Sequence, residues 1–108
     1  MQIGQKTLPP LFYRGTVAPL TDHGRRQIDR FRSAGVHVYS AYYHLASCWP
    51  APGKYDFGQL DEIVRAYLSV DPEASLILIL HLVPPSWWID SHPNELVRYS
   101  VRVADNGK

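Results

Sequence analysis

The 108-residue chain has one cysteine, Cys48. That excludes an internal disulfide and removes any cysteine-based zinc site, and with no partner base singled out the thiol reads as packed or incidental. Charge of one sign is also lacking: 11 basic and 10 acidic residues are interspersed to a formal net charge of +1, so neither a phosphate backbone nor an anionic membrane finds a footprint. Nucleic acid and membrane are therefore not expected partners. No apolar run approaches the ~20 residues that cross a bilayer, and "MQIGQKTLPPLFY" has neither the basic start nor the apolar run of a signal peptide. The chain as written is expected to be cytoplasmic. No strand is followed by a "GxGxxG" or "GxxxxGK[ST]" cradle, which argues against nucleotide phosphates. No cofactor and no metal site is expected.

What is present is a globular composition, 45% hydrophobic and 19% charged, which calls for a core rather than disorder. The length suits one domain, residues 1–108, or a piece of a larger one.

Chain order is strand, helix, strand, helix, strand, helix at a spacing of about 30 residues. "PLFYRG" reads as a brief strand between Pro10 and Gly15. In "TDHGRRQIDRFRSAG", Thr21 or Asp22 caps a helix whose stripe contains Ile28 and Phe31, and Gly35 fits the C′ position. "VHVYSAYY" is rich in β-branched and aromatic residues, hence a strand through about Tyr42. Asp56 is a plausible N-cap for a second helix in which Leu60, Ile63, Val64, Tyr67 and Leu68 fall on one face, and Asp71-Pro72 ends it. "SLILILHL" lacks alternation, the pattern of a parallel strand covered on both faces. A short third helix is expected from Pro93 through about Tyr99. The last stretch, "YSVRVADNGK", alternates as a strand would and ends in an Asn106-Gly107 turn signal.

Two architectures fit this order: a small open sheet, or the first three β/α units of a (β/α)8 barrel. Both put ligands beyond the C-terminal strand ends. Leu76 to Leu80 would then serve the interior, whereas His81 through Trp88 would lie in a mouth loop, with Arg14 ending the first strand and Tyr42, Tyr43 and His44 the second. Alternation sends Tyr42 and Tyr43 to opposite sides, so at most one faces a ligand. Aromatic rings, an imidazole, a phenol and a guanidinium on one rim suit an uncharged polyhydroxylated ligand, because sugar rings stack a C–H face on indole while their hydroxyls need fixed partners. Arg14, Tyr42, His81, Trp87 and Trp88 are the candidate substrate contacts, and carbohydrate the expected partner. Trp packing between loop and helix, and a core imidazole bonded to backbone, are the competing structural roles. His23, His37 and His92 read as surface or cap residues.

The segments "SAGVHVYSAYYHLASCWPAPGKYDFGQLDEIV", "LILILHLVPPSWW" and "HPNELV" resemble the N-terminal portion of the β-galactosidase-like (β/α)8 glycoside hydrolases. There a second strand leads through a Trp and a Pro-Gly turn to "G-x-Y-D-F-x-x-L-D", matched by Gly53, Tyr55, Asp56, Phe57, Leu60 and Asp61. "P-x-W-W" after the third strand is matched by Pro85, Trp87 and Trp88. The resemblance covers about residues 11 to 107 and implies hydrolysis of a β-linked sugar by two carboxylates, ~5 to 5.5 Å apart in a retaining enzyme. In the family these are glutamates after the fourth and seventh strands. Asn94-Glu95 follows no strand and does not stand for that pair, and Asp90, a single carboxylate in the mouth, cannot carry out both steps. No catalytic residue is expected in the chain. Its expected role is substrate-side scaffold of a glycoside hydrolase, inactive alone and with unpaired strand edges through which copies would self-associate. The alternative is a non-catalytic carbohydrate-binding or structural α/β domain.

Overall fold

In the computed structural model, residues 1–15 and 18–98 are described. The alternating stretch "YSVRVADNGK" and its Asn106-Gly107 turn signal lie outside them.

An N-terminal hairpin not anticipated from the sequence comes first. Strands β1 (Gln2–Ile3) and β2 (Lys6–Thr7) pair antiparallel. The two-residue connection places Gly4 at φ 59°, a conformation that side chains with a Cβ resist. The expected "PLFYRG" strand contracts to a single parallel bridge, Tyr13 with Tyr39. Pro9 and Pro10 have no N–H to pair, and only Tyr13 exchanges bonds with the neighbouring strand, its N–H donating to the Val38 carbonyl and its carbonyl accepting from Ser40.

Helix α1 (Asp22–Ser33) follows its sequence signals closely. The Thr21 hydroxyl accepts from the Gly24 amide at 3.1 Å, and Gly35, the residue after the Ala34 cap, takes φ 83°, the left-handed conformation of a C′ glycine. Strand β3 (Val38–His44) runs two residues further than expected, into the one-turn helix α2 (Leu45–Cys48). Ala51 to Lys54 then close a tight turn, with Pro52 second, Gly53 third at φ 67°, and the Lys54 amide donating to the Ala51 carbonyl at 3.0 Å.

Helix α3 (Gly58–Val70) starts after Phe57 rather than at Asp56. Asp56 still serves its start, because its carboxylate accepts from the Gly58 amide at 2.9 Å. Strand β4 (Ser75–His81) pairs with β3 in parallel, from Val38 with Ser75 to His44 with His81. The three parallel positions therefore run in space as Tyr13, β3, β4, the chain order.

The parallel register sorts the sheet into two faces. Tyr39, Ala41 and Tyr43 pack with Ile28 of α1 and with Ile63 and Tyr67 of α3, forming the core. Cys48 joins this core, its thiol donating to the Leu45 carbonyl at 3.2 Å. Ser40, Tyr42 and His44 alternate to the other face, where their register mates are Ile77, Ile79 and His81. β4 is less covered than its uniform hydrophobicity led us to expect. Ile77, Leu78 and Leu80 are 43%, 48% and 42% exposed, because among the described residues β4 has a strand neighbour on one side only.

The expected third helix is displaced. Helix α4 spans Ser86–Ser91 and contains both tryptophans. Pro93 stops this helix instead of starting another: the residue before a proline is pushed out of helical backbone, and His92 sits at φ −129° and ψ 53°.

Candidate functional site

Three of the five sequence candidates meet at the C-terminal ends of the parallel strands. The Arg14 Nε donates to the Tyr42 hydroxyl at 2.7 Å, across 28 residues of chain. Tyr42 and His81 come together with ring centres 5.4 Å apart. Both rings project from the face away from the core, and the pairing of Tyr42 with Ile79 sets Tyr42 one alternation below the His44–His81 pair. Tyr43 turns the other way and is buried, and that burial pushes its phenol pKa up. The two tyrosines thus lie on opposite faces of β3, as alternation requires.

Arg14 is exposed, and its bond to Tyr42 raises the guanidinium above its ordinary pKa. It stays charged throughout the accessible range, a fixed donor at the rim. The sequence reading placed His44 at the same strand end without assigning it a role. Its ring lies 4.9 Å from that of His81.

The tryptophans occupy a different arrangement. Trp87 Nε1 donates to the Trp49 carbonyl at 2.9 Å and the two indoles meet edge to face, centres 4.7 Å apart. The polar end of Trp87 is therefore used in holding α4 to the segment after α2. Trp88 stacks on His92 at 4.4 Å with the planes 12° apart, which covers one face of the indole. His92, read from the sequence as a surface or cap residue, also approaches the Trp88 carbonyl through Nδ1 at 2.9 Å. Both tryptophans are partly buried.

At the opposite end of the strands lies a polar cluster that the sequence did not disclose. Asp71 is 1% exposed. Its carboxylate accepts from the Tyr39 hydroxyl at 2.6 Å and from the Glu73 amide at 3.0 Å, and its Oδ2 stands 2.7 Å from His37 Nδ1. His37 is thus not the surface residue expected of it. Burial by itself would raise the Asp71 pKa, but the bonds from Tyr39 and His37 and the Glu73 amide together outweigh it and hold the carboxyl below its ordinary value. Burial, followed by the bond to Asp71, pushes the Tyr39 phenol well up. Lys6 reaches Glu73 at 3.2 Å and so ties the N-terminal hairpin to this end. The cluster ties the end of α3 to the start of β3 through Asp71. No signal short of the tertiary contact could have found it, because 34 residues separate His37 from Asp71.

No helix among the described residues is long and apolar enough to cross a membrane. The family model described as beta-galactosidase, of glycoside hydrolase family 42, matches residues 20–106. No curated protein matches the chain.

Proposed function

Since the chain belongs to the β-galactosidase family of glycoside hydrolases, we propose that it forms the first three β/α units of a (β/α)8 barrel whose complete form cleaves a β-linked sugar. These residues supply substrate-side scaffold, and the acids that cut the bond come from other polypeptide. The observation that carries this reading is the Arg14–Tyr42–His81 group on the core-distal face at the C-terminal strand ends. That is where ligands meet a barrel of this kind.

Within the site, Arg14 and His81 hydrogen-bond sugar hydroxyls, and Tyr42 both orients Arg14 and offers its own oxygen. Trp88 presents the indole face not taken by His92 to the apolar side of a sugar ring. Trp87, its N–H committed to Trp49, contributes ring surface and sets the position of α4. None of these side chains can act as the nucleophile or as the acid/base of a double displacement, which needs two carboxylates. The isolated 108-residue chain is accordingly inactive.

The test is to express the full reading frame that contains this segment and to assay it with a panel of aryl glycosides. Aryl β-galactoside cleavage is expected, with kcat/KM reduced at least tenfold by Arg14→Met or by Tyr42→Phe. Hydrolysis of none of the panel would overturn the proposal. A frame whose product binds sugar without cleaving it would establish the non-catalytic alternative.

A further inference from the structure

His44 and His81 are register mates at the last rung of the parallel ladder, and their ring centres stand 4.9 Å apart, the planes tilted by 39°. Both are exposed. From this geometry we infer that the two imidazoles form a bidentate site for a borderline divalent transition-metal ion such as Zn²⁺, Ni²⁺ or Cu²⁺, with water completing the coordination. The inference does not rest on the glycosidase reading; it needs only the ladder and the two rings.

The separation of the ring centres is one that chelation allows. With metal–nitrogen bonds of about 2.0–2.1 Å, ring centres sit about 4.5 Å apart at a right angle of coordination and about 5.2 Å apart at a tetrahedral one. The observed distance falls between these limits. Imidazole also matches these ions in softness, whereas Mg²⁺ and Ca²⁺ prefer oxygen ligands.

The ladder contributes preorganisation. Neighbouring strands lie about 4.7–4.9 Å apart, so the two backbones hold the histidines at chelating distance before any ion arrives. Only side-chain torsions remain to be fixed, and exposed rings turn at little cost. A group of three or more His, Cys, Asp or Glu side chains able to hold an ion does not occur among the described residues. Affinity should therefore fall well below that of a closed structural zinc site.

The neighbouring charge acts against the site and gives a second handle. Arg14 reaches the same cluster through Tyr42, which lies against His81, and a fixed positive charge there repels a cation. Removing it should tighten metal binding, whereas a site that depended on Arg14 for ordering would weaken.

The experiment is calorimetric titration of the chain with ZnCl₂, with NiCl₂ as a second ion and MgCl₂ as the control, beside histidine side-chain NMR. Expected are one Zn²⁺ per chain, perturbation of two imidazoles, and no response to Mg²⁺. His44→Gln and His81→Gln should each weaken binding at least tenfold, His23→Gln should leave it unchanged, and Arg14→Met should tighten it severalfold. Circular dichroism checks that the exposed-site variants keep the fold. Absence of Zn²⁺ binding at millimolar concentration by folded chain overturns the inference. Binding that survives both glutamine variants, or that moves with His23, overturns it as well.

Discussion

The buried Asp71 carboxylate offers the sharpest test of the packing argument, through replacement by asparagine. Three donors converge on it: the Tyr39 hydroxyl at 2.6 Å, the Glu73 amide at 3.0 Å and His37 at 2.7 Å. Hydrogen bonds to a charged group contribute roughly 1.5–3 kcal/mol each, and stripping one partner from a buried charged cluster costs about 3–5 kcal/mol. Asp71→Ala would remove a large share of a domain stability that totals about 5–15 kcal/mol, so the isosteric variant is the readable one. Asparagine keeps an acceptor for Glu73 but loses the charge. The Tyr39 hydroxyl has one hydrogen to give and a second acceptor within reach, the Val36 carbonyl at 2.8 Å, so part of the loss is recovered by turning it. The expected cost is about 1–3 kcal/mol at pH 7.

The pH dependence separates this account from simple misfit. Because the folded pKa of Asp71 is depressed, the stabilisation is complete above the unfolded value of about 3.9 and is lost as pH falls through the lower folded value. Urea denaturation followed by tryptophan fluorescence at pH 7 and again near pH 2 should therefore show the penalty of Asp71→Asn shrinking in acid. Tyr39→Phe should show the same trend, since its main acceptor is then protonated. A penalty below about 0.5 kcal/mol at pH 7, where packing and charge both act, or one that persists undiminished in acid, would refute the reasoning.

Two further outcomes follow from the packing. A Cβ on Gly24 would stand 2.4 Å from the Ala18 carbonyl oxygen and 3.1 Å from Pro19 Cα, both backbone atoms; Gly24→Ala should therefore destabilise by about 1–3 kcal/mol in thermal unfolding despite the better helix propensity of alanine, and a stabilised variant would contradict the close approach. The open side of β4, with Ile77, Leu78 and Leu80 over 40% exposed, should drive self-association of the 108-residue chain; light scattering should show species above monomer that decrease in Leu78→Lys, and a monodisperse wild-type monomer with cooperative unfolding would count against it.

Helix α1 was legible because its signals are local. Thr21 caps α1 and Gly35 terminates it because a hydroxyl three residues from an amide, and a residue without Cβ, act within one turn of chain. Helix α3 buried Ile63 and Tyr67 of its apolar stripe but left Leu68 42% exposed, and the aromatic run preceding it formed β3 with Tyr42 and Tyr43 on opposite faces. The resemblance carried by the Tyr-Asp-Phe and Trp-Trp elements agreed with the family match. Proline was the ambiguous signal: Pro93 suits a first helical position and equally a stop, and with α4 already formed over Ser86–Ser91 it acts as the stop.

Sequence by itself therefore determined the succession of α1, β3, α3 and β4, the caps of α1 and the alternation that separates Tyr42 from Tyr43, since each depends on residues within a few positions of one another. Tertiary structure alone decided that Arg14 reaches Tyr42, that His44 stands beside His81, that Trp87 is tied to Trp49, and that Asp71 is a buried hub rather than a helix stop. Those outcomes join residues 28 to 38 positions apart. The parallel register of β3 and β4 brings His44 and His81 to one rung, and the Tyr13–Tyr39 bridge brings Arg14 beside β3; register is a property of the packed sheet as a whole, set when one face of each strand closes over the helices.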